Sequence, residues 1–259
     1  MAPLLQRVLI VDPHAANARL LGELLRDMFH CQVWASPTDQ KALKLAGSID
    51  PDIVFLEMNA EGVDGVEFTR KLRRSHLACR QAPVIVTTSH ATAAGILAAR
   101  DAGVHEFLRK PFTVKDLLRR LEAVTLRPRD WIEAVDYVGP DRRRFNSGDY
   151  SGPLKRRSDI PATPDGERMA QALKILRSAI AAVDKDPDQA FRALQAQALE
   201  LKSAGAKAGD MKLTAAAVDL QQYLAEVERT GRYEPAELSR RAAPLLAYLP
   251  KNEAGSVAA

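Results

Sequence analysis

Cysteine is nearly absent from this chain, and its two copies, Cys31 and Cys79, stand apart. They give neither metal-ligand spacing nor a disulfide framework, which fits a reducing compartment. No apolar run approaches the ~20 residues that a membrane helix needs. The opening residues Met1 to Gln6 run straight into a strand pattern with none of the marks of a signal peptide. The expectation is a soluble, cytoplasmic protein without membrane insertion. Charge of one sign is also scarce in excess: the net charge is only +4, too little to coat nucleic acid, so the clustering of charge carries more information than its sum.

What is present divides in three. With 259 residues there is room for two ordinary domains. From Arg7 to Val124, apolar strand patterns alternate with amphipathic helical ones: Val8–Val11, Gln32–Ala35, Ile53–Leu56, Pro83–Thr87 and Glu106–Leu108. Five such βα units predict an α/β fold with a five-stranded parallel sheet covered on both faces, and function at the carboxyl ends of its strands.

At those ends the first strand finishes in Asp12, and the third in an acid followed by Gly65. The fourth finishes in Thr88, and the fifth leads into Lys110-Pro111-Phe112. In these residues the first ~125 positions resemble the CheY-like, flavodoxin-type receiver domain of bacterial response regulators. The resemblance implies a phosphoryl-accepting aspartate at the end of the third strand, where this chain has Glu57. It also implies two adjacent acids after the first strand, where Asp12 is followed by Pro13. A glutamate carries its carboxylate one methylene further, and near-attack geometry tolerates little displacement. With one acid missing, the near-octahedral oxygen shell of magnesium is depleted, and phosphoryl transfer loses its main charge neutraliser. Glu57 therefore reads either as a carboxylate paired with Lys110 or as a built-in mimic of the phosphorylated state. Thr88 and Phe107 fall on the family's switch positions. The resemblance places partner contacts near Ala91–Ala102, Glu106–Leu108 and Val114–Val124.

Periodicity stops after Val124, and proline and glycine punctuate residues 126–165, which predicts an irregular basic connection. Forty residues is long for an idle loop. Within it Gly139-Pro140-Asp141-Arg142-Arg143-Arg144 is echoed by Gly152-Pro153-Leu154-Lys155-Arg156-Arg157, with Trp131, Tyr137, Phe145 and Tyr150 nearby and Asn146, Ser147 and Asp149 between. Arginine binds phosphate and the guanine O6/N7 edge bidentately, an acid can accept from guanine N–H groups, and aromatic rings can stack on bases. A two-fold ligand with two guanines and two phosphates suits the duplication, and cyclic di-GMP is such a ligand. A receiver followed by an arginine-rich stretch resembles the CheY-like cyclic di-GMP effectors that act on the flagellar motor.

From Gly166 the chain is alanine-rich, with four apolar stripes: Leu173, Leu176, Ile180; Phe191, Leu194, Leu201; Leu213, Leu220, Leu224; Leu238, Leu245, Leu249. These predict a four-helix antiparallel bundle over 166–250, followed by a disordered tail at 251–259. The run Ala198–Ala204 resembles the histidine phosphotransfer domain, but Leu199 occupies the histidine position. All five histidines precede the bundle, so no phosphohistidine can form there. Together these features point to a non-enzymatic adaptor without cofactor or metal, binding cyclic di-GMP and a protein partner, either the flagellar motor switch or another two-component protein, and no specific DNA. The alternatives are a scaffold whose basic segment binds acidic lipid or nucleic acid, and a phosphorelay response regulator.

Overall fold

Val8 and Ile10 point to one side of their strand and Leu9 and Val11 to the other, and all four are buried. That two-sided burial is what a strand at the centre of a parallel sheet requires. In the computed structural model, which describes residues 5–142 and 164–249, this strand is β1 (Arg7–Val11). It is followed by α1 (Ala15–Phe29), β2 (Gln32–Ser36), α2 (Asp39–Ile49) and β3 (Ile53–Glu57). A two-residue ribbon, β4 (Asn59–Ala60) and β5 (Val63–Asp64), leads into α3 (Gly65–Arg74) and a 3-10 turn at Ala78–Gln81. Then come β6 (Val84–Thr88), α4 (Ala93–Asp101), β7 (Glu106–Arg109) and α5 (Val114–Thr125).

The sheet order is β2-β1-β3-β6-β7, with every pairing parallel, the flavodoxin-like arrangement. One face packs Leu9, Val54, Leu56 and Val86 against Phe68 and Leu72 of α3 and the alanines of α2. The other packs Ile10, Phe55, Ile85 and Leu108 against Leu21 and Leu25 of α1 and Leu117 and Leu121 of α5. At about 1.5–3 kcal/mol for each large apolar side chain buried, these two layers hold the strand ends, and hence the site, in fixed register.

Among the described residues the chain forms two compact units, one of residues 5–132 and 137–142 and the other of 133–136 and 164–249. The connection expected to be irregular from Leu126 is not so throughout: β8 (Trp131–Glu133) and β9 (Val138–Pro140) pair as a two-stranded ribbon. The apolar character of Tyr137 and Val138, 4% and 5% exposed, outweighs the nearby punctuation, and Pro140 closes its strand rather than interrupting it. β9 comes so close to Gly103 that a β-carbon there would lie 2.6 Å from the Val138 carbonyl oxygen. Gly103 also has a φ of +96°, a conformation open chiefly to glycine.

The second unit contains α6 (Pro164–Ala182), α7 (Pro187–Ala208), α8 (Met211–Thr230) and α9 (Pro235–Leu246). α7 packs on α6 and α8, and α9 on α8 and α6, around Leu173, Leu176, Leu194, Leu201, Leu220 and Leu224. The punctuation is local. Asp186 and Asp210 cap α7 and α8 by accepting backbone N–H groups, and Gly209 and Gly231 end them in the left-handed conformation. Within this unit the fully buried Gln189 donates from Nε2 to Glu133 Oε1 at 2.9 Å and to the Ala134 carbonyl at 3.0 Å. Gln197 donates to the Glu133 carbonyl at 3.0 Å.

Candidate functional site

β1, β3 and β7 deliver three charged side chains to one point. Lys110 Nζ donates to Glu57 Oε2 at 2.5 Å and to Asp12 Oδ2 at 2.8 Å. Asp12 and Glu57 are 6% and 8% exposed. The remaining oxygens are taken as well: Glu57 Oε1 accepts from the Met58 amide at 3.0 Å and Asp12 Oδ1 from the His14 amide at 2.8 Å. The loop carrying Lys110 is anchored at both ends. Its amide donates to the Thr88 carbonyl at 2.8 Å, and Thr113 and Asp116 form a reciprocal capping box at the start of α5. Gly65 lets α3 begin against this corner, since a β-carbon there would fall 2.7 Å from the Glu57 carbonyl oxygen.

Burial alone would lower the Lys110 pKa, but the hydrogen bonds to Asp12 and Glu57, and then their charges, raise it above the ordinary lysine value. The ammonium is therefore a fixed counter-charge for both acids. Pro13, next to Asp12, offers no second carboxylate to a divalent cation at this corner. Thr88 is buried and its hydroxyl accepts from the His90 amide at 3.1 Å, while Phe107 is half-buried against the core around Val86.

The arginine-rich residues are placed only in part. Tyr137 is buried and its hydroxyl donates to the Pro140 carbonyl at 2.6 Å. Its ring stacks beneath the Arg142 guanidinium at 4.0 Å, so this aromatic serves the receiver unit and offers no open face to a base. Asp141 donates its amide to the Asp130 carbonyl at 2.7 Å, and Arg142 pairs with Asp101 at 2.7 Å. Trp131 is half-buried, its ring under the guanidinium of Arg73 at 5.3 Å. Arg143, Arg144, Asn146, Ser147, Asp149, Tyr150, Lys155, Arg156 and Arg157 lie outside the described residues, as does the tail at 251–259. Leu199 sits on α7 and is 58% exposed.

Sequence reasoning missed Arg73. It is 1% exposed and donates to the carbonyls of Gly103 (3.1 and 3.0 Å), Arg80 (2.6 Å) and Ala82 (2.9 Å), and contacts His105 Nδ1 at 3.1 Å. Burial lowers its pKa to about 9. In the sequence it looks like one of three cations closing α3, a common solvated pattern.

Residues 8–122 match the response regulator receiver domain family. Among curated proteins, the transcriptional regulatory protein PdtaR of Mycobacterium tuberculosis is 30% identical over 125 residues, 48% of this chain and 59% of that protein. The chain thus spans well under two thirds of that relative's length. The chemotaxis protein CheY-3 of Vibrio cholerae is 28% identical over 118 residues, 46% of this chain and 90% of that protein. Among solved structures, a response regulator from Chloroflexus aurantiacus matches with a TM-score of 0.44 and 24% identity, covering 47% of this chain and 98% of that one. The first unit is a CheY-like receiver domain of the response-regulator type.

Proposed function

We propose that this chain is a non-enzymatic cytosolic signalling adaptor whose receiver does not take phosphate and whose arginine-rich segment binds cyclic di-GMP. The observation that carries the reading is the Lys110 bridge between Asp12 and Glu57. It closes the corner where a receiver would take its phosphoryl group, and so leaves the duplicated basic segment as the place where a signal can enter. Two bidentate guanine contacts at about 1–3 kcal/mol each, with one or two stacked bases at about 1–3 kcal/mol each, are of the size of, or above, the roughly 2–5 kcal/mol that ordering a segment on binding costs. With phosphate pairing added, a micromolar constant, about 8 kcal/mol, is in reach. Since Tyr137 is committed to Arg142, stacking falls to Trp131 and the aromatics at 145 and 150.

The output would be a protein partner, either the flagellar motor switch or another two-component protein. Ile96 and Leu97 on α4 and Val114 on α5 are exposed, at 36%, 49% and 46%, and support docking on that face, with the helical unit as a second docking module. The test is calorimetry of the full chain with cyclic di-GMP, GMP and GTP at low and high salt, beside intact-mass analysis after acetyl phosphate. Binding of cyclic di-GMP that survives salt, with no mass change, is expected. Equal competition by RNA or GTP, together with steep loss in salt, would replace the specific ligand by a general polyanion. A stable phosphoryl adduct on Glu57 would end the phosphate-independent reading.

A further inference from the structure

At the amino edge of the sheet, the opposite end of the strands from Lys110, the receiver unit holds a cavity of about 220 Å³. Ala123, Pro128 and Trp131 give it apolar surface, His105, Arg127 and Arg129 give it polar groups, and none of its lining residues is acidic. The imidazole of His105 is set to donate. Its Nδ1 meets two donors, the Val84 amide at 3.3 Å and Arg73 Nη2 at 3.1 Å, so the ring proton belongs on Nε2. Burial, and then the charges of Arg73 and Arg129, push its pKa well below the usual histidine value and keep the ring neutral. The Nε2–H has no hydrogen-bond partner among the described residues, which leaves it for whatever enters the cavity.

Arg127 is a second donor. It is exposed and has neither a hydrogen bond nor an ion pair among the described residues. Arg129 adds charge rather than a free hand, since its terminal nitrogens are committed to the carbonyls of His105 at 2.6 Å and Asp141 at 3.3 Å. A neutral N–H, an unpaired guanidinium and a cation held by carbonyls together select an oxyanion. The apolar lining asks for something more than a bare ion, because polar groups buried against it without partners are disfavoured. A carboxylate on an apolar body satisfies both. The volume is below the about 300–1,000 Å³ of pockets that enclose a drug-sized ligand, which limits that body to a single ring or a short chain.

We propose that this cavity binds a small organic carboxylic acid, its carboxylate taken by His105 Nε2–H and Arg127 and its body by Ala123, Pro128 and Trp131. Neither the site nor its test involves cyclic di-GMP. Full-length protein labelled with 15N-histidine is titrated by NMR with benzoate, and separately with inorganic phosphate, at constant ionic strength. The His105 signals, identified by their loss in His105→Asn, should show the Nε2–H tautomer before any addition. Benzoate should shift them to saturation, and Arg127→Gln, a change at an exposed position, should raise the midpoint about fivefold or more. Ala123→Leu, which fills part of the cavity, should abolish the shift. A His105 signal that moves without saturating or does not move overturns the site, and so does an unchanged midpoint in Arg127→Gln. Saturation by phosphate at the same concentration as benzoate overturns the carboxylic acid in favour of a bare oxyanion.

Discussion

Asp101 Oδ1, at the end of α4, accepts from Arg142 at 2.7 Å, and the same guanidinium lies 4.0 Å over the Tyr137 ring. The leading arginine of the duplicated motif is thus held on the receiver itself. If Arg142 is to read a guanine or phosphate, it must leave this carboxylate. The pair is 38% and 45% exposed, so its hold is worth about 0.2–1 kcal/mol. Asp101→Asn should then tighten cyclic di-GMP binding by about 1.5- to 5-fold in calorimetry. Unchanged affinity would mean that Arg142 is not one of the readers.

Lys110 serves two buried acids at once. Lys110→Met leaves both carboxylates without their counter-charge, and breaking a buried pair from one side costs about 3–5 kcal/mol. Denaturant unfolding should show a loss near the lower figure, partly restored when Glu57→Gln is added. The Lys110 pKa is raised in the folded protein. Its contribution is therefore complete below the ordinary lysine value and disappears only as the pH climbs through the higher folded one, so the loss should be the same at pH 6 and pH 8.

His105 predicts the opposite pH behaviour. Burial, then Arg73 and Arg129, depress its pKa in the folded state, so on acidification the unfolded chain takes a proton before the folded one does. Below the ordinary histidine value stability should fall by about 1.4 kcal/mol per pH unit from this group alone. His105→Asn, which keeps an acceptor for the Val84 amide and Arg73, should flatten that slope in denaturant midpoints measured between pH 5 and 7.

If Glu57 and Pro13 are what keeps the proposed receiver from taking phosphate, restoring both family residues should let it do so. Glu57→Asp withdraws the carboxylate by a methylene, and Pro13→Asp supplies the missing magnesium ligand. The double variant should gain a phosphoryl adduct on incubation with acetyl phosphate and magnesium, seen by intact mass. Glu57→Asp alone should gain less.

The sheet and the acidic corner were legible because both are written in short-range signals. Runs such as Ile53–Leu56 with Asp12, Thr88 and Lys110 at strand ends require only a period and a position. The stripes of the helical unit were legible for the same reason, and Pro187 and Pro235 marked two of its helix starts. The β8–β9 ribbon was hidden because its stability comes from burial of Tyr137 and Val138, a tertiary effect, while Gly139 and Pro140 advertise a break. Arg73 was hidden for the same kind of reason. Its partners are carbonyls at Arg80, Ala82 and Gly103, and backbone acceptors leave no trace in a sequence. The role given to Tyr137 as a stacking platform misjudged burial, since an aromatic beside arginines reads alike whether it faces solvent or core.

The family match ends at residue 122, yet Arg73 finds its aromatic cover at Trp131 and its neighbour Gly103 is closed by Val138. This receiver is therefore not a portable cassette. A fragment cut after α5 would strip the indole from a guanidinium that has no acid among its hydrogen-bond partners in the described residues. A chimera joined at that boundary would inherit a charged wound at the amino edge of the sheet, whatever output domain followed.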